Sequence, residues 1–274
     1  MSILVTGGTG TTGSRVARKL AERGHAHRVA SRRAADGRVP FDWYAPSTHA
    51  GALEGTTALY LVAPIGEPDP EPVMGPFLER AAEAGVRRAV LLSGAPIEPG
   101  TPGLGRVHTR LGDLFGEWAV LRPTWFADNF TGDHLQGQLA RERGEIVSAT
   151  GTGRVPFVAA EDIAEVAVAA LTDAVPHDTD HVITGPRAVT YQEVAEMLGR
   201  AMGRTVRHRA LSADELAEYW EKEGMDPDFA RLLADMDTAI AAGAEDRTTT
   251  AVPDTTGRPP RTLEEVFAEA LAAR

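Results

Sequence analysis

Two stretches near the start of the chain combine residue types that can do chemistry together. Gly7, Gly10 and Gly13 stand at equal spacing in Thr6-Gly7-Gly8-Thr9-Gly10-Thr11-Thr12-Gly13. A glycine at a strand end permits a tight turn. A second lets the backbone approach a pyrophosphate, and a third lets the next helix pack close, with phosphate on its N-terminus. The triplet alone is weak evidence, since an ordinary glycine-rich strand-to-helix turn would look the same. Here it follows the apolar run of residues 2–6 and opens the helical spacing of Val16 and Leu20, which Gly24 stops. The next apolar run, residues 27–30, ends in Ser31-Arg32-Arg33. An acidic residue there would accept the ribose 2′-hydroxyl of NAD. Guanidinium forks suit a 2′-phosphate instead, so the expected ligand is NADPH or NADP+. A solvated basic turn is the alternative.

The elements that must position these residues follow from periodicity. Weak strand character at residues 39–43 precedes a continuous apolar run at 58–63. A helix at 72–85 leads to a strand at 88–93, then a helix at 107–115 and a strand at 119–122. Strands alternating with helices predict an α/β class, a Rossmann doubly wound parallel sheet with a smaller mixed α/β C-terminal lobe. The expected division is an NADP-binding domain over 1–150 and a substrate lobe over 151–274. In the second part, a helix at 161–172, a strand at 181–184, a helix at 190–202, a strand at 206–210 and a helix from 212 are expected. Thr190/Glu193 and Ser212/Glu215 stand as capping boxes. Residues 245–260 read as loop.

Composition narrows the chemistry. The 274 residues carry a net charge of −11 and no cysteine. The charge argues against a nucleic-acid partner, and thiolate catalysis and zinc-thiolate sites are excluded. No His cluster has metal-ligand spacing, so no metal is expected. No apolar run approaches the ~18 residues of a membrane span, and no leader precedes the first strand, which sets a cytoplasmic expectation. A small-molecule substrate is the expected partner, and monomer and homodimer stay equally open.

Several segments together resemble the NmrA-like atypical short-chain dehydrogenases, in the branch of festuclavine dehydrogenase-type reductases and type 2 NADPH:quinone oxidoreductase-like proteins. They are residues 3–13, Ser31-Arg32-Arg33, Phe41-Asp42-Trp43, Leu92-Ser93-Gly94, Leu121-Arg122-Pro123-Thr124-Trp125-Phe126 with Asn129, residues 157–164, and Ile183-Thr184-Gly185-Pro186. The resemblance covers nearly the whole chain, and the Arg-Pro-Thr-Trp-Phe…Asn segment is its most specific mark. It implies that Asp42 and Trp43 lie near the adenine and that Ala63 and Pro64 border the cofactor. It also implies that Ser93 and Pro123 lie at strand ends beside it, and that Trp125, Phe126 and Asn129 shape the substrate side. Plain core packing is the alternative for these aromatics.

The chain departs from standard short-chain dehydrogenases in one chemical respect. Their Tyr-x-x-x-Lys pair protonates a carbonyl oxygen. Four residues after Tyr44, Tyr60, Tyr191 and Tyr219 stand Thr48, Pro64, Ala195 and Glu223, and the lysines are Lys19 and Lys222 alone. His108 falls where the pair would lie and can serve as a proton donor, with Ser93 beside the reacting end; a histidine at the core edge is the alternative. Without a strong acid, an acceptor that is already electrophilic is favoured: an iminium ion, a quinone or a conjugated carbonyl compound. An NADP(H)-sensing regulator of the NmrA type, or a non-redox cyclase or isomerase, would also fit the missing pair. The Ser-Arg-Arg reading makes one expectation measurable. Arg32→Ala should raise the Kd for NADPH by about tenfold or more while moving that for NADH little; equal small changes for both would contradict it.

Overall fold

Apolar runs covered on both faces set the architecture. The computed structural model describes residues 2–33 and 37–272. β1 (Ile3–Val5) is buried throughout, and α1 (Thr11–Glu22) follows the glycine turn. β2 (His27–Ser31), β3 (Val39–Pro40), α2 (His49–Leu53), β4 (Ala58–Val62), α3 (Glu71–Glu83), β5 (Arg88–Leu92), α4 (Leu104–Leu114) and β6 (Glu117–Pro123) continue the alternation. Then come α5 (Leu135–Glu142), β7 (Glu145–Ser148), α6 (Ala160–Thr172), β8 (Thr179–Ile183), α7 (Tyr191–Met202) and β9 (Arg207–Ala210). The chain closes with α8 (Ala213–Lys222), α9 (Pro227–Ala241), α10 (Ala251–Thr256) and α11 (Leu263–Ala272).

Among the described residues, an all-parallel sheet runs in the order β3-β2-β1-β4-β5-β6-β8, and β7 pairs with β9 in a separate two-stranded sheet. The order reverses between β1 and β4. In an open α/β sheet that reversal leaves a crevice beyond the strands' carboxyl ends, where ligands bind. Side chains alternate across the sheet. Leu4, Leu59, Leu61, Leu91 and Val120 pack with Phe77, Leu78 and Leu111 of α3 and α4. α1 and α6 pack against each other and against the strands. Covering both faces is what makes the strands read as unbroken apolar runs.

The chain divides into two compact units that do not follow a single cut near residue 150. The first holds residues 1–123, 160–183 and 251–258; the second holds 124–159, 184–250 and 259–274. Residues 160–183 return to the large sheet because α6 supplies the crossover a parallel β6–β8 pair requires. Their anchor is electrostatic. Lys19 Nζ, almost fully buried on α1, lies 2.7 Å from Glu161 and 2.7 Å from Glu165 of α6. Residues 251–256, expected as loop, form α10, which packs on α6 and β8 with Val252 buried. That helix rests on tertiary burial, since Pro, Asp and Thr are poor helix formers. The expected third strand pairs only through Pro40, because Asp42 starts a turn in which its Oδ1 accepts from the Tyr44 N–H at 3.0 Å.

The second unit is built on β7–β9, with α5 and α7 against β7 and α8 paired with α9. Both expected capping boxes form, at Thr190/Glu193 and at Ser212/Glu215. The helix α5 and strand β7 were not anticipated, as residues 135–148 mix Gly, Gln and Arg with few apolar positions.

Burial alone would raise the carboxyls of Glu161 and Glu165, but the bonds and charges of Lys19 with Arg18 and Arg23 hold both below the usual range. Their contribution to stability is therefore present above the ordinary Glu range and fades as pH falls through the lowered values. Lys19→Met should cost about 1–3 kcal/mol in urea unfolding at pH 7, with the difference shrinking in acid. An unchanged midpoint would show that α6 is held by packing alone.

Candidate functional site

The glycine turn is a cradle that side chains would fill. Gly7 sits at φ +60°, and a Cβ there would lie 2.8 Å from Val62 Cβ. A Cβ on Gly8 would lie 2.5 Å from Val29 Cγ1, and one on Gly13 only 2.3 Å from the Gly7 carbonyl oxygen. The Gly13 contact is with backbone, which cannot swing aside. The Gly10 N–H donates to Gly7 O at 2.9 Å, and Gly10 caps α1 without any side-chain cap. No acidic residue stands in the first turn of α1. Gly7, Thr9, Gly10 and Thr11 are exposed at the rim, while Gly8, Thr12 and Gly13 are buried beneath it. An open rim over an uncapped helix N-terminus matches what a pyrophosphate needs.

The side chain of Thr6 is engaged with the sheet. Its hydroxyl donates to Tyr60 O at 3.0 Å and accepts from the Val62 N–H at 2.8 Å, so its fully buried side chain braces β1 to β4. Arg32 and Arg33 are exposed, and among the described residues no ion pair engages either guanidinium. The Ser31 hydroxyl accepts from the Arg33 N–H at 3.2 Å, which fixes the turn that presents them.

Further residues gather at the carboxyl edge of the large sheet. Trp43 donates its indole N–H to Val62 O at 3.1 Å and packs edge-on against Phe41 and Phe77, so it anchors the segment bearing Asp42. Ala63 and Pro64 follow β4, both half-buried. Ser93 follows β5, and its Oγ is enclosed with no hydrogen-bond partner. The loop after β5 is held from two sides: Pro123 O accepts from the Ala95 N–H at 2.9 Å, and the buried Arg122 guanidinium donates to Ala95 O at 2.8 Å. Arg122 also pairs with Glu98 and, at 2.5 Å, with Asp180 of β8. His108 of α4 is buried beside Trp118, with ring centroids 5.8 Å apart and an enclosed, unpartnered Nδ1. Burial lowers its pKa, aided by the Arg122 charge and opposed by that of Asp180, so the imidazole is uncharged at neutral pH.

The second unit contains its own cavity of about 230 Å³. Of the residues expected on the substrate side, Trp125 and Asn129 line it. Phe126 does not; its backbone bridges to Val158 instead. Phe157, Tyr191, Trp220, Met225 and Phe229 add apolar wall, and His134 and Asp237 add polar groups. Leu232 is exposed, and its neighbour Leu233 faces the cavity. Asp237 escaped notice altogether, although a signal existed. It shares the buried face of α9 with Ala230, Ala234 and Ile240, a place where a carboxylate does not belong unless it has work to do.

No protein-family model matches the chain. It is 44% identical over 275 residues to the uncharacterized oxidoreductase YesF of Bacillus subtilis (strain 168), covering 99% of this chain and 95% of that one. It is 38% identical to an agroclavine dehydrogenase of Claviceps fusiformis, across 95% and 94% of the two chains. The structure superposes on the NADPH-dependent quinone oxidoreductase QOR2 of Escherichia coli with a TM-score of 0.84 at 22% identity, covering 99% and 100%. The fold is thus that of an NAD(P)-binding reductase. The chain belongs to the oxidoreductase family of the festuclavine and agroclavine dehydrogenases.

Asp237 is 5% exposed, and its Oδ2 accepts from the Ala149 N–H at 2.8 Å. Burial pushes its carboxyl up to about 6, against that single hydrogen bond. A carboxyl raised in the fold adds stability below its unfolded pKa of 3.8, and that stability is lost as pH rises through about 6. Asp237→Asn keeps an acceptor for Ala149 and removes the charge. It should raise stability at pH 8 by about 1–3 kcal/mol and change it little at pH 4. Chemical denaturation at the two pH values measures this; a variant less stable at pH 8 would mean that the fold stabilises the ionised carboxylate.

Proposed function

We propose that the protein is an NADPH-dependent reductase that delivers hydride to an activated acceptor, an iminium, quinone or conjugated carbonyl compound, in natural-product metabolism. The observation that carries this reading is the pairing of a dinucleotide cradle with the lack of a tyrosine–lysine acid. Tyr60 is fully buried in the sheet, and burial pushes its phenol up. Lys19 is held by Glu161 and Glu165, and Lys222 by Glu218. Neither lysine is available to acidify a phenol.

The residues of the first unit fit the cofactor. Gly7, Gly8, Gly10 and Gly13 clear the space for the pyrophosphate, and the first-turn N–H groups of Thr11, Thr12 and Gly13 are left to receive it. Ser31, Arg32 and Arg33 would hold the 2′-phosphate. Asp42 and Trp43 would border the adenine, and Ala63, Pro64, Ser93 and Pro123 the nicotinamide end. The enclosed Ser93 hydroxyl is a polar atom that a ligand amide or acceptor oxygen would satisfy. Bound NADPH supplies the hydride; the protein orients it and excludes water. Trp125 and Asn129, with the cavity of the second unit, would hold the acceptor.

Acceptor chemistry follows from what the residues cannot do. A simple ketone needs a proton as hydride arrives. An iminium needs none, and a quinone yields a phenolate that is stable in water. The Escherichia coli neighbour is named a quinone oxidoreductase and the Claviceps relative an agroclavine dehydrogenase, which accords with acceptors of this kind. His108, neutral and buried, can offer at most one N–H and is the candidate donor where an acceptor oxygen needs one.

Purified protein, mixed with NADPH and either menadione, N-methyl-3,4-dihydroisoquinolinium or cyclohexenone, should consume NADPH with at least one of them and prefer it to NADH. Cyclohexanone should give no turnover. Binding of NADPH without consumption in any mixture would overturn the reductase reading in favour of a sensor or a non-redox enzyme.

A further inference from the structure

The second unit's cavity holds one charge that its fold does not use. Asp237 Oδ2 takes the Ala149 N–H, a bond that a neutral asparagine would make equally well. Among the described residues no Lys, Arg or His pairs with the Asp237 carboxylate. Tyr191, in the same lining, offers no positive charge; burial and then the charge of Asp237 push its phenol further up, while burial lowers the pKa of His134, which also lines the cavity. A buried carboxylate without a partner is costly, and either a proton or a cation relieves it.

The walls around it complete a recognition pattern. Trp125, Trp220, Phe229 and Tyr191 line the same cavity. Aromatic faces attract organic cations, and they do so more strongly where water is excluded. One buried carboxylate among several aromatic rings therefore discriminates by charge at constant shape. A positively charged nitrogen on an apolar ring gains a partner for Asp237, and a neutral ring of the same size leaves that charge unpaired.

We propose that Asp237 is a specificity-determining residue that selects positively charged, nitrogen-containing ring compounds over neutral isosteres in the second unit's cavity. This deepens the reductase reading by naming the charge of the ligand, and it rests on that reading only for the ligand's fate. The interaction belongs to binding and not to the bond-making step. A carboxylate beside an iminium stabilises the charged ground state at least as well as the transition state, in which the charge is being lost. Asp237 should therefore appear in KM and Kd and should not raise kcat.

The test needs no cofactor. Trp125 and Trp220 line the cavity, so tryptophan fluorescence reports its occupancy. N-methyl-3,4-dihydroisoquinolinium, permanently charged, and α-tetralone, its neutral counterpart, are titrated into wild type and Asp237→Asn at pH 7.5. Wild type should bind the cation at least about tenfold more tightly. Asp237→Asn should lose most of that preference while keeping its affinity for α-tetralone, which also shows that the cavity is intact. In turnover with NADPH, the variant's KM for the cation should rise by a similar factor with kcat unchanged or higher. Equal affinity of wild type for the two ligands, or an equal loss of both in the variant, would overturn the proposal even if menadione is reduced at full rate. Cation-selective binding lost in Asp237→Asn, without NADPH consumption by either protein, would support this site and sink the reductase reading instead.

Discussion

The near-contact between Gly13 and the Gly7 carbonyl is the constraint on which the first unit turns. With a Cβ at Gly13 only 2.3 Å from that oxygen, α1 cannot start where it does unless position 13 lacks a side chain. That close start leaves the helix N-terminus uncapped and pointing past an open glycine rim. It also sets the position of Lys19, near the other end of the same helix, whose charge holds α6 through Glu161 and Glu165. The open glycine turn and the crossover to β8 are thus two consequences of how one helix is seated. Thr6 fixes the other side of the turn by bonding both ways to β4.

A different economy governs the second unit. Its core is aromatic and aliphatic, and the cavity within it keeps a single buried carboxylate whose charge the fold opposes. Stability and selectivity pull against each other at Asp237, as happens where a binding group sits in surroundings that disfavour it. In the first unit the corresponding charges are satisfied: Arg122 is bound by Asp180, Glu98 and a carbonyl, and Asp180 is held low by Arg122 even though burial alone would raise it. The contrast marks the cavity of the second unit as the place where a charge has been left for a ligand.

Much of the first unit was legible because its signals are local. The glycine spacing, the Ser-Arg-Arg turn and the apolar runs of β4 and β5 each depend on residues close in sequence, as do the two capping boxes of the second unit. What sequence could not show was which sheet edge a strand joins. β8 lies beyond residue 150 yet pairs with β6, and α10 comes later still. Both are decided by packing at long range. The candidate site divided the same way. Trp125 and Asn129, named from a motif, line the cavity, and Phe126, from the same motif, is spent on backbone pairing with Val158. Asp237 was missed because one acidic residue in a helix reads as solvated surface until its neighbours Ala234 and Ile240 are recognised as buried.

The central claim is that hydride moves directly from NADPH to the acceptor. It is tested most directly with NADPH dideuterated at C4 and N-methyl-3,4-dihydroisoquinolinium, followed by mass spectrometry of the amine formed. The account predicts that each product molecule carries one deuterium, located at the former iminium carbon, when the reaction runs in H2O, and that unlabelled NADPH in D2O leaves that carbon without deuterium. Product without deuterium, or bound NADPH that is never consumed, would contradict it.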